Sequence, residues 1–141
     1  MTKITLVEAD AVIDGVFAAA GDGSMKPLAV VVLDDGGIVV SYKRQDGSLI
    51  LRFKTVVGKA YSALGMEMNT RKLEGLYDCM PYLGERLMAL SQGKFVPVAG
   101  DMLIKNAEGD LLGAAGVSGD TADNDEIACI ADIGAAGLVV E

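Results

Sequence analysis

The sequence predicts one α+β domain in which helices pack on a central antiparallel sheet of about five strands. Two segments, 5–20 and 48–64, carry apolar residues at the spacing of an amphipathic helix. Short β-branched runs elsewhere are separated by tight turns, which predicts hairpins and therefore antiparallel pairing. The length of 141 residues suits a single domain over residues 1–141, and no linker or internal repeat divides it.

The first helix and the first hairpin have clear sequence signals. Thr5 and Glu8 have the spacing of a capping box, which predicts a helix over 5–20 that the following glycines end. An apolar run at 28–33, an Asp-Asp-Gly-Gly turn and a second run at 38–42 then predict a hairpin.

The next segment carries two conflicting signals. Its start, residues 48–53, has the composition of a strand, whereas apolar residues recur at helical spacing far beyond it. No strand keeps one face over that spacing, so we predict a helix over about 48–64. Arg52, Lys54 and Lys59 are expected to point away from its apolar stripe or to lie at the edge of the stripe.

The remainder of the chain alternates between helix and strand signals. Thr70 could cap a short helix that Pro81 interrupts, and the leucines beyond indicate another turn or two of helix. Apolar runs at 95–98, 102–105 and 111–117 predict three strands. The first of these runs contains a proline, so we expect it at the edge of the sheet.

A glycine-rich tract, Gly113–Thr121, leads from the last of these strands into a terminal helix that Asp120 or Thr121 would cap. Exposed backbone amides at such a helix start could bind an anion. However, no lysine follows the glycines as in a P-loop, and acidic residues already occupy the first helical turn. Close packing with a capped helix is the simpler interpretation.

Charge and residue content exclude several classes of function. With 12 basic and 20 acidic residues the net charge is −8, so neither nucleic acid nor an anionic membrane is an expected partner. The chain has no histidine, which excludes the Ser-His-Asp and Cys-His triads and removes the commonest metal ligand. No apolar stretch is long enough to span a membrane and no secretory signal is evident, so we expect a cytoplasmic location. Cys79 and Cys129 lie far apart and are expected to be small buried apolar residues.

Several residues could carry chemistry, and each has a simpler alternative. Lys59, if partly desolvated, could act as an acid, a base or an imine-forming amine; the alternative is a solvated lysine. Asp34, Asp46, Asp101 and Asp125 stand in loops or at element ends, where carboxylates work in pairs or merely cap turns. Their spacing matches no metal-binding run, so no metal site is predicted. The seven methionines could ligate haem iron or copper, or could fill gaps in a core with few aromatic residues.

Taken together, the motifs resemble the GlcG/HbpS family, also described as DUF336 or haem-degrading, which includes the C-terminal domain of PduO-type proteins. The resemblance covers essentially the whole chain. It rests on Lys59–Ala63, Thr70 after a loop with Met and Gly, the tract Gly113–Thr121 with Asp125–Glu126 behind it, Arg44–Gly47 where the family has Arg-Met-Asp-Gly, and Asp34 at an Asp-x-x-Gly turn. The family's double glycine before the penultimate hairpin is Gly100–Asp101 here.

The resemblance implies a profilin-like sandwich that assembles as dimers or larger rings and binds haem or a related tetrapyrrole. It also implies that the family's recurrent polar positions converge on one pocket. The catalytic candidates in such a pocket are Lys59 and Asp125. Its ligand-binding candidates are Asp34, Asp46, Tyr61, Gly116, Ser118, Gly119 and Glu126. Without a histidine, a bound haem would need Tyr, Met, Cys, Lys or Thr as its axial ligand, which leaves a small organic molecule as the alternative ligand.

Two hypotheses follow from these residues. In the first, the chain is an oligomeric binding protein for haem, a tetrapyrrole or a related small molecule, which a cleft lined by Met66, Met68 and Met80 would favour. In the second, it is a metal-independent isomerase, lyase or hydratase acting on a small carbonyl compound. Lys59 would then be its acid, base or imine-forming group, with Asp125 or Asp46 as the electrostatic partner.

Overall fold

The computed structural model describes residues 3–21, 25–121, 124–125 and 139–140. Within these ranges, one helix precedes a first hairpin, and three helices separate that hairpin from the remaining strands. Their order is α1 Leu6–Ala20, β1 Ala29–Asp34, β2 Val39–Arg44, α2 Arg52–Met66, α3 Thr70–Cys79, α4 Pro81–Leu90, β3 Asp101–Lys105, β4 Leu111–Ser118 and β5 Val139–Val140. The prediction of an α+β fold with helices flanking an antiparallel sheet is confirmed. None of the helices in these ranges combines the length and apolar content needed to cross a membrane.

The sheet joins two hairpins along its centre, in the order β2-β1-β4-β3-β5. Antiparallel pairing of β1 with β4 runs from Ala29 opposite Ser118 to Asp34 opposite Gly113. Side chains alternate between the faces, so that Val30 and Val32 pack with the core under α1 and Val31 packs with the core under α2. The sheet therefore separates α1 and α2 onto opposite faces.

Helix α1 forms as predicted. The Thr5 hydroxyl accepts a hydrogen bond from the Glu8 amide at 3.2 Å, and the Glu8 carboxylate accepts one from the Thr5 amide at 3.3 Å. This reciprocal pair satisfies two amides that the helix start leaves without intrahelical partners. Val12, Ile13 and Val16 form the buried stripe against the sheet.

Helix α2 begins later than the prediction of about 48–64, at Arg52, and extends to Met66. Of the preceding residues, Ser48 and Leu49 have no regular structure and Ile50 and Leu51 form a turn. The Ser48 hydroxyl donates to the Leu28 carbonyl at 3.2 Å and so holds this segment beside the start of β1. Lys59 does not lie at the edge of the apolar stripe but is buried, so that expectation is wrong. Gly100 and Gly116 leave space for the lysine side chain where α2 meets β4.

The segment between the two hairpins is helical but differs in detail from the prediction. Asn69, rather than Thr70, caps α3, since its side chain accepts a hydrogen bond from the Lys72 amide at 3.1 Å. Pro81 is the first residue of α4, where its missing N–H costs nothing. Cys79 ends α3 in an exposed position, which contradicts the expected burial.

Residues 95–98 do not form the predicted edge strand. The Val96 amide instead donates to the Ser62 hydroxyl of α2 at 2.7 Å, and the Val96 side chain packs where a Cβ on Gly58 would be 2.4 Å from it. The outer edge of β3 is paired with β5 instead.

The terminal helix begins where the sequence predicts it, and the Thr121 hydroxyl accepts a hydrogen bond from the Asn124 amide at 3.2 Å there. The rest of that predicted helix, with Glu126 and Cys129, lies outside the described residues.

Candidate functional site

Two glycines allow a charged side chain to be buried where α2 crosses β4. A Cβ on Gly116 would be 2.3 Å from the Val56 carbonyl oxygen, so only glycine lets the helix backbone approach the strand this closely. Gly100 has a φ of +128°, and a Cβ there would be 2.6 Å from the Lys59 ammonium. The space that Gly100 leaves is occupied by the end of the lysine side chain.

Lys59 joins α2 to the end of β4 and to the start of the terminal helix. Its ammonium donates to the Val117 carbonyl at 2.8 Å and lies 3.4 Å from Asp125 Oδ2. The other Asp125 oxygen accepts a hydrogen bond from the Asp120 amide at 3.0 Å. The Lys59 and Asp125 side chains are only 3% and 2% exposed, so this is a buried ion pair with additional hydrogen bonds.

Burial changes the proton affinity of both partners. Desolvation lowers the pKa of Lys59, although the carboxylates of Asp125 and Asp101 act in the opposite direction and the Arg52 guanidinium adds to the decrease. Desolvation likewise raises the pKa of Asp125, against the attraction of the Lys59 ammonium. The ammonium is thus easier to deprotonate than that of a solvated lysine, which general-base or imine chemistry requires.

A second carboxylate lies buried in the same region. Asp101, at the start of β3, accepts hydrogen bonds through Oδ1 from the Thr70 amide at 2.9 Å and from the Thr70 hydroxyl. The sequence placed Asp101 among the carboxylates that could act in pairs or merely cap turns, and it assigned no site role to Arg52. The Arg52 guanidinium donates to the Ser118 hydroxyl at 3.3 Å. The Gly100–Asp101 dipeptide was the available signal, because a glycine directly before a strand can mark a close approach to another group.

Several predicted site residues lie at this end of the sheet. Ser118 ends β4 beside Arg52, and Gly119 follows it with a φ of +151° in a position where a Cβ would be 2.1 Å from the Pro27 carbonyl oxygen. The exposed Asp46 belongs to a loop that approaches the same proline, since a Cβ on Gly47 would be 3.4 Å from the Pro27 side chain.

Asp34 and Tyr61 lie away from the end of the sheet that carries Ser118. Asp34 is five residues along β1 from the position opposite Ser118, which corresponds to about 17 Å of strand. Its carboxylate accepts from the amides of Gly36 and Ile38 at 2.9 and 3.0 Å and so closes the hairpin turn. Those predicted site residues that the structure describes therefore fall into two groups within one copy of the chain.

The second group borders an open groove along the C-terminal half of α2. One cavity, of about 210 Å³, is lined by Tyr61, Gly65, Met66, Leu87, Leu90, Ser91 and Phe95. A second cavity, of about 170 Å³, is lined by Asp35, Gly36, Gly37, Tyr61, Leu64 and Gly65. Because the cavities share Tyr61 and Gly65, we treat them as one feature, the Tyr61 groove. Of the three methionines expected to line a cleft, Met66 lines the groove and Met68 packs into the core beneath α3. Met80 lies between α3 and α4 and lines neither cavity.

The groove has mainly apolar walls with a few polar groups. The Lys94 ammonium lies 5.7 Å from the centre of the Tyr61 ring, which places a cation beside the groove. Phe95 forms part of the wall and makes an edge-to-face contact with Tyr77, at 5.4 Å between ring centres. A concave apolar surface with a small number of polar groups is typical of small-molecule sites.

The chain is thus a small α+β domain that has a buried lysine–carboxylate pair and a separate open groove. Residues 4–134 match the model of the family "Haem degrading protein HbpS-like", and the chain belongs to that family. The resemblance drawn from its motifs is therefore confirmed. No match was found among curated proteins.

Solved structures share the fold over nearly the whole chain. The PduOC:heme complex aligns with a TM-score of 0.84 and 22% identity, covering 99% of this chain and 97% of that one. Protein ORFY of Klebsiella pneumoniae, of family DUF336, aligns with a TM-score of 0.82 and 22% identity, covering 96% and 92%. HbpS aligns with a TM-score of 0.79 and 23% identity, covering 96% and 91%. At these identities the likeness establishes the fold.

Proposed function

We propose that this chain binds a flat, largely apolar small molecule of the haem or tetrapyrrole class in the Tyr61 groove, as a cytoplasmic homo-oligomer. The observation that carries the proposal is the lining of the groove, in which a phenol and a thioether, Tyr61 and Met66, stand among apolar walls. Membership of a haem-degrading family and the fold shared with a haem complex support the same ligand class.

The residues of the groove fit a haem although the sequence has no histidine. Tyrosine and methionine are both known axial ligands of haem iron, so Tyr61 and Met66 are the residues that would hold the metal. Leu87, Leu90 and Phe95 would contact the macrocycle, and Lys94 would pair with a carboxylate at its edge. The iron would supply redox chemistry when bound; the chain itself supplies apolar contacts, a cation and the donor atoms.

A test of this proposal is to fill the groove without disturbing the core. Gly65 lines both cavities, is exposed on α2, and a Cβ there would meet nothing within 4 Å. Gly65→Trp should therefore fold and weaken hemin binding by about tenfold or more, which is about 1.4 kcal/mol. Gly75, on α3, has an equally open position, so Gly75→Trp is the matched control.

The titration should use both hemin and protoporphyrin IX, which lacks the iron. We expect both ligands to bind the wild-type protein, Gly65→Trp to weaken both, and Gly75→Trp to bind as the wild type does. Equal affinity of the two tryptophan variants for hemin would contradict the assignment of the groove. If protoporphyrin IX binds as tightly as hemin, apolar contact rather than iron ligation provides the affinity, and the donor roles of Tyr61 and Met66 are wrong.

The buried pair favours a second candidate, a metal-independent isomerase, lyase or hydratase acting on a small carbonyl compound. Burial lowers the pKa of Lys59, and Asp125 stands 3.4 Å away to stabilise or accept charge. In the imine variant of this chemistry, the neutral amine attacks a carbonyl carbon and water leaves. Asp46 is the alternative partner carboxylate, and Ser118 and Gly119 border the same end of the sheet.

Borohydride trapping tests this second candidate. The protein is incubated with pyruvate or acetaldehyde and then with borohydride, which reduces an imine to a stable secondary amine. The enzyme hypothesis predicts that peptide mass spectrometry finds the added mass at Lys59 in preference to the exposed Lys54. Labelling of Lys54 but not of Lys59 would remove the imine mechanism, because the exposed amine would then be the more reactive one.

A further inference from the structure

A hollow lies next to the Tyr61 groove, toward the N-terminal end of α2. It has a volume of about 350 Å³, with one wall formed by α2 between Phe53 and Gly58 and the other by residues 92–94. We call it the Lys54 hollow, after the lysine in its first wall. Lys94 connects the hollow to the groove, because it lines the hollow while its ammonium lies 5.7 Å from the centre of the Tyr61 ring.

The hollow and the groove form one trough along α2. Phe53, Val57, Tyr61 and Gly65 are spaced four residues apart, which places them in a row on one face of the helix. The helix rises about 18 Å from the first of these residues to the last. On the facing side, the lining likewise continues from α4 in the groove to residues 92–94 in the hollow. The trough can therefore hold a ligand much longer than the groove alone.

Cavity size favours a ligand that occupies both parts of the trough. The two cavities of the Tyr61 groove measure about 210 and 170 Å³. Each is smaller than a typical small-molecule site, which has roughly 300–1,000 Å³. The Lys54 hollow adds about 350 Å³ directly beside the groove. A molecule as large as a tetrapyrrole, seated in the groove, thus extends into the hollow.

The two ends of the trough differ in charge. Lys54 and Lys94 are exposed at the hollow, and neither forms an ion pair with another residue that the structure describes. Among the described residues that line the hollow, none is acidic. At the other end the groove is lined by Met66, by leucines of α4 and by Asp35, whose charge is partly offset by Lys3 at 3.4 Å. An anionic group is therefore attracted to the hollow and not to the far end of the groove.

We infer that the Lys54 hollow binds the carboxylates of the tetrapyrrole, so that the ligand class is a porphyrin whose carboxylates lie along one edge. The macrocycle lies in the Tyr61 groove with its carboxylate edge toward Lys54 and Lys94 and its apolar edge toward Met66. Each ammonium can donate a charge-assisted hydrogen bond to a carboxylate, and Phe53 supplies an apolar wall beside it. This inference deepens the proposed function and rests on it.

The test compares protoporphyrin IX with its dimethyl ester, which has the same macrocycle but no charged side chains. Fluorescence titration should show that the wild-type chain binds the free acid about tenfold more tightly than the ester, because ion pairs between exposed groups contribute a few-fold each. Lys54→Gln should weaken binding of the free acid about threefold, and the double variant with Lys94→Gln about tenfold. Binding of the ester should not change in either variant. Lys72→Gln, at an exposed lysine of α3 that lines neither part of the trough, is the matched control.

A second probe tests the orientation of the ligand. Coproporphyrin III carries a carboxylate on every ring of the macrocycle, so at least one carboxylate must face the apolar end of the trough. It should bind the wild-type chain at least about threefold more weakly than protoporphyrin IX, since that carboxylate loses water without gaining a cation. Equal or tighter binding of coproporphyrin III would contradict the preference for carboxylates along one edge.

The outcomes separate this inference from the proposed function. If neither protoporphyrin IX nor its ester binds, or if Gly65→Trp leaves both affinities unchanged, the proposed function is wrong and this inference with it. If both bind in the groove but with equal affinity, or if the lysine variants bind the free acid as the wild type does, only the assignment of the hollow is wrong. Equal losses for the acid and the ester in the lysine variants would also contradict it, because the lysines would then act through packing and not through charge.

Discussion

The ammonium of Lys59 lies 3.4 Å from a carboxylate oxygen of Asp125, and both side chains are almost completely buried. The two residues are 66 positions apart, so the pair connects the middle of α2 to the start of the terminal helix. A buried pair of this kind is strongly coupled to folding, because removal of one partner leaves the other charge without compensation. Its contribution to stability can therefore be tested separately from any catalytic role.

Lys59→Met should lower the free energy of unfolding by about 3 kcal/mol, because it leaves the Asp125 carboxylate buried without its cation. Lys54→Met removes an exposed lysine of the same helix and should change stability by less than about 0.5 kcal/mol. Urea denaturation of both variants provides the measurement. A loss at Lys59 no larger than that at Lys54 would show that the pair does not contribute to the fold.

The double variant Lys59→Met with Asp125→Leu should be more stable than Lys59→Met alone. Replacing both charges with apolar groups removes the desolvation cost together with the attraction, and such replacements are often neutral or stabilising. Urea denaturation of the double variant beside both single variants gives the coupling energy between the two positions. Strictly additive losses would contradict the interpretation that the two charges compensate each other.

The pH dependence of stability should also depend on this pair. Burial raises the pKa of Asp125, so between its ordinary value of 3.8 and the raised value the folded protein holds a proton that the unfolded chain has lost. In that window stability decreases as pH rises. Burial lowers the pKa of Lys59, so between the lowered value and 10.5 the unfolded chain holds the extra proton and stability increases with pH.

The measurement compares the wild-type chain with the double variant by urea denaturation across the pH range, which cancels the other titrating groups. The stability of the wild type relative to the double variant should be lowest near neutral pH and should rise toward both ends. A difference that does not change with pH would contradict both pKa directions.

Gly100→Ala should destabilise the fold by about 2–4 kcal/mol, since it adds a methyl group 2.6 Å from the Lys59 ammonium to the cost of a positive φ. Gly109 also has a positive φ, of +90°, but a Cβ there would meet nothing within 4 Å. Gly109→Ala therefore measures the backbone cost alone and should lose only about 1 kcal/mol. Equal losses in thermal or urea unfolding would contradict close packing around Lys59.

The sequence predicts those elements whose signals are local. The capping box of Thr5 and Glu8, the hairpin turn closed by Asp34 and the helical spacing of α2 all depend on residues within a few positions of one another. The prediction of a strand at 95–98 was wrong because contacts with residues far away in the sequence position this segment. Val96 packs on Gly58, and β5 pairs with the edge of β3 that a further strand would need.

The candidate site likewise has residues that the sequence identifies and an arrangement that only distant contacts determine. Lys59 and Asp125 are recognisable as candidates from the sequence, but burial of the lysine depends on Gly100 and on the path of β4, which no periodicity within α2 reveals. Asp34 and Asp125 both match the family pattern in sequence order. Only the register of β1 on β4 shows that Asp34 lies at the far end of the strand from Ser118.

The most direct test of the account is a hemin titration that compares the wild-type chain with Tyr61→Phe and Tyr82→Phe. Tyr61 lines the groove, whereas Tyr82 is an exposed tyrosine on α4 that does not. The account predicts that the wild type and Tyr82→Phe shift the Soret band in the same way, and that Tyr61→Phe shifts it differently or not at all. An unshifted Soret band with the wild type, or identical spectra for all three proteins, would contradict haem binding in the Tyr61 groove.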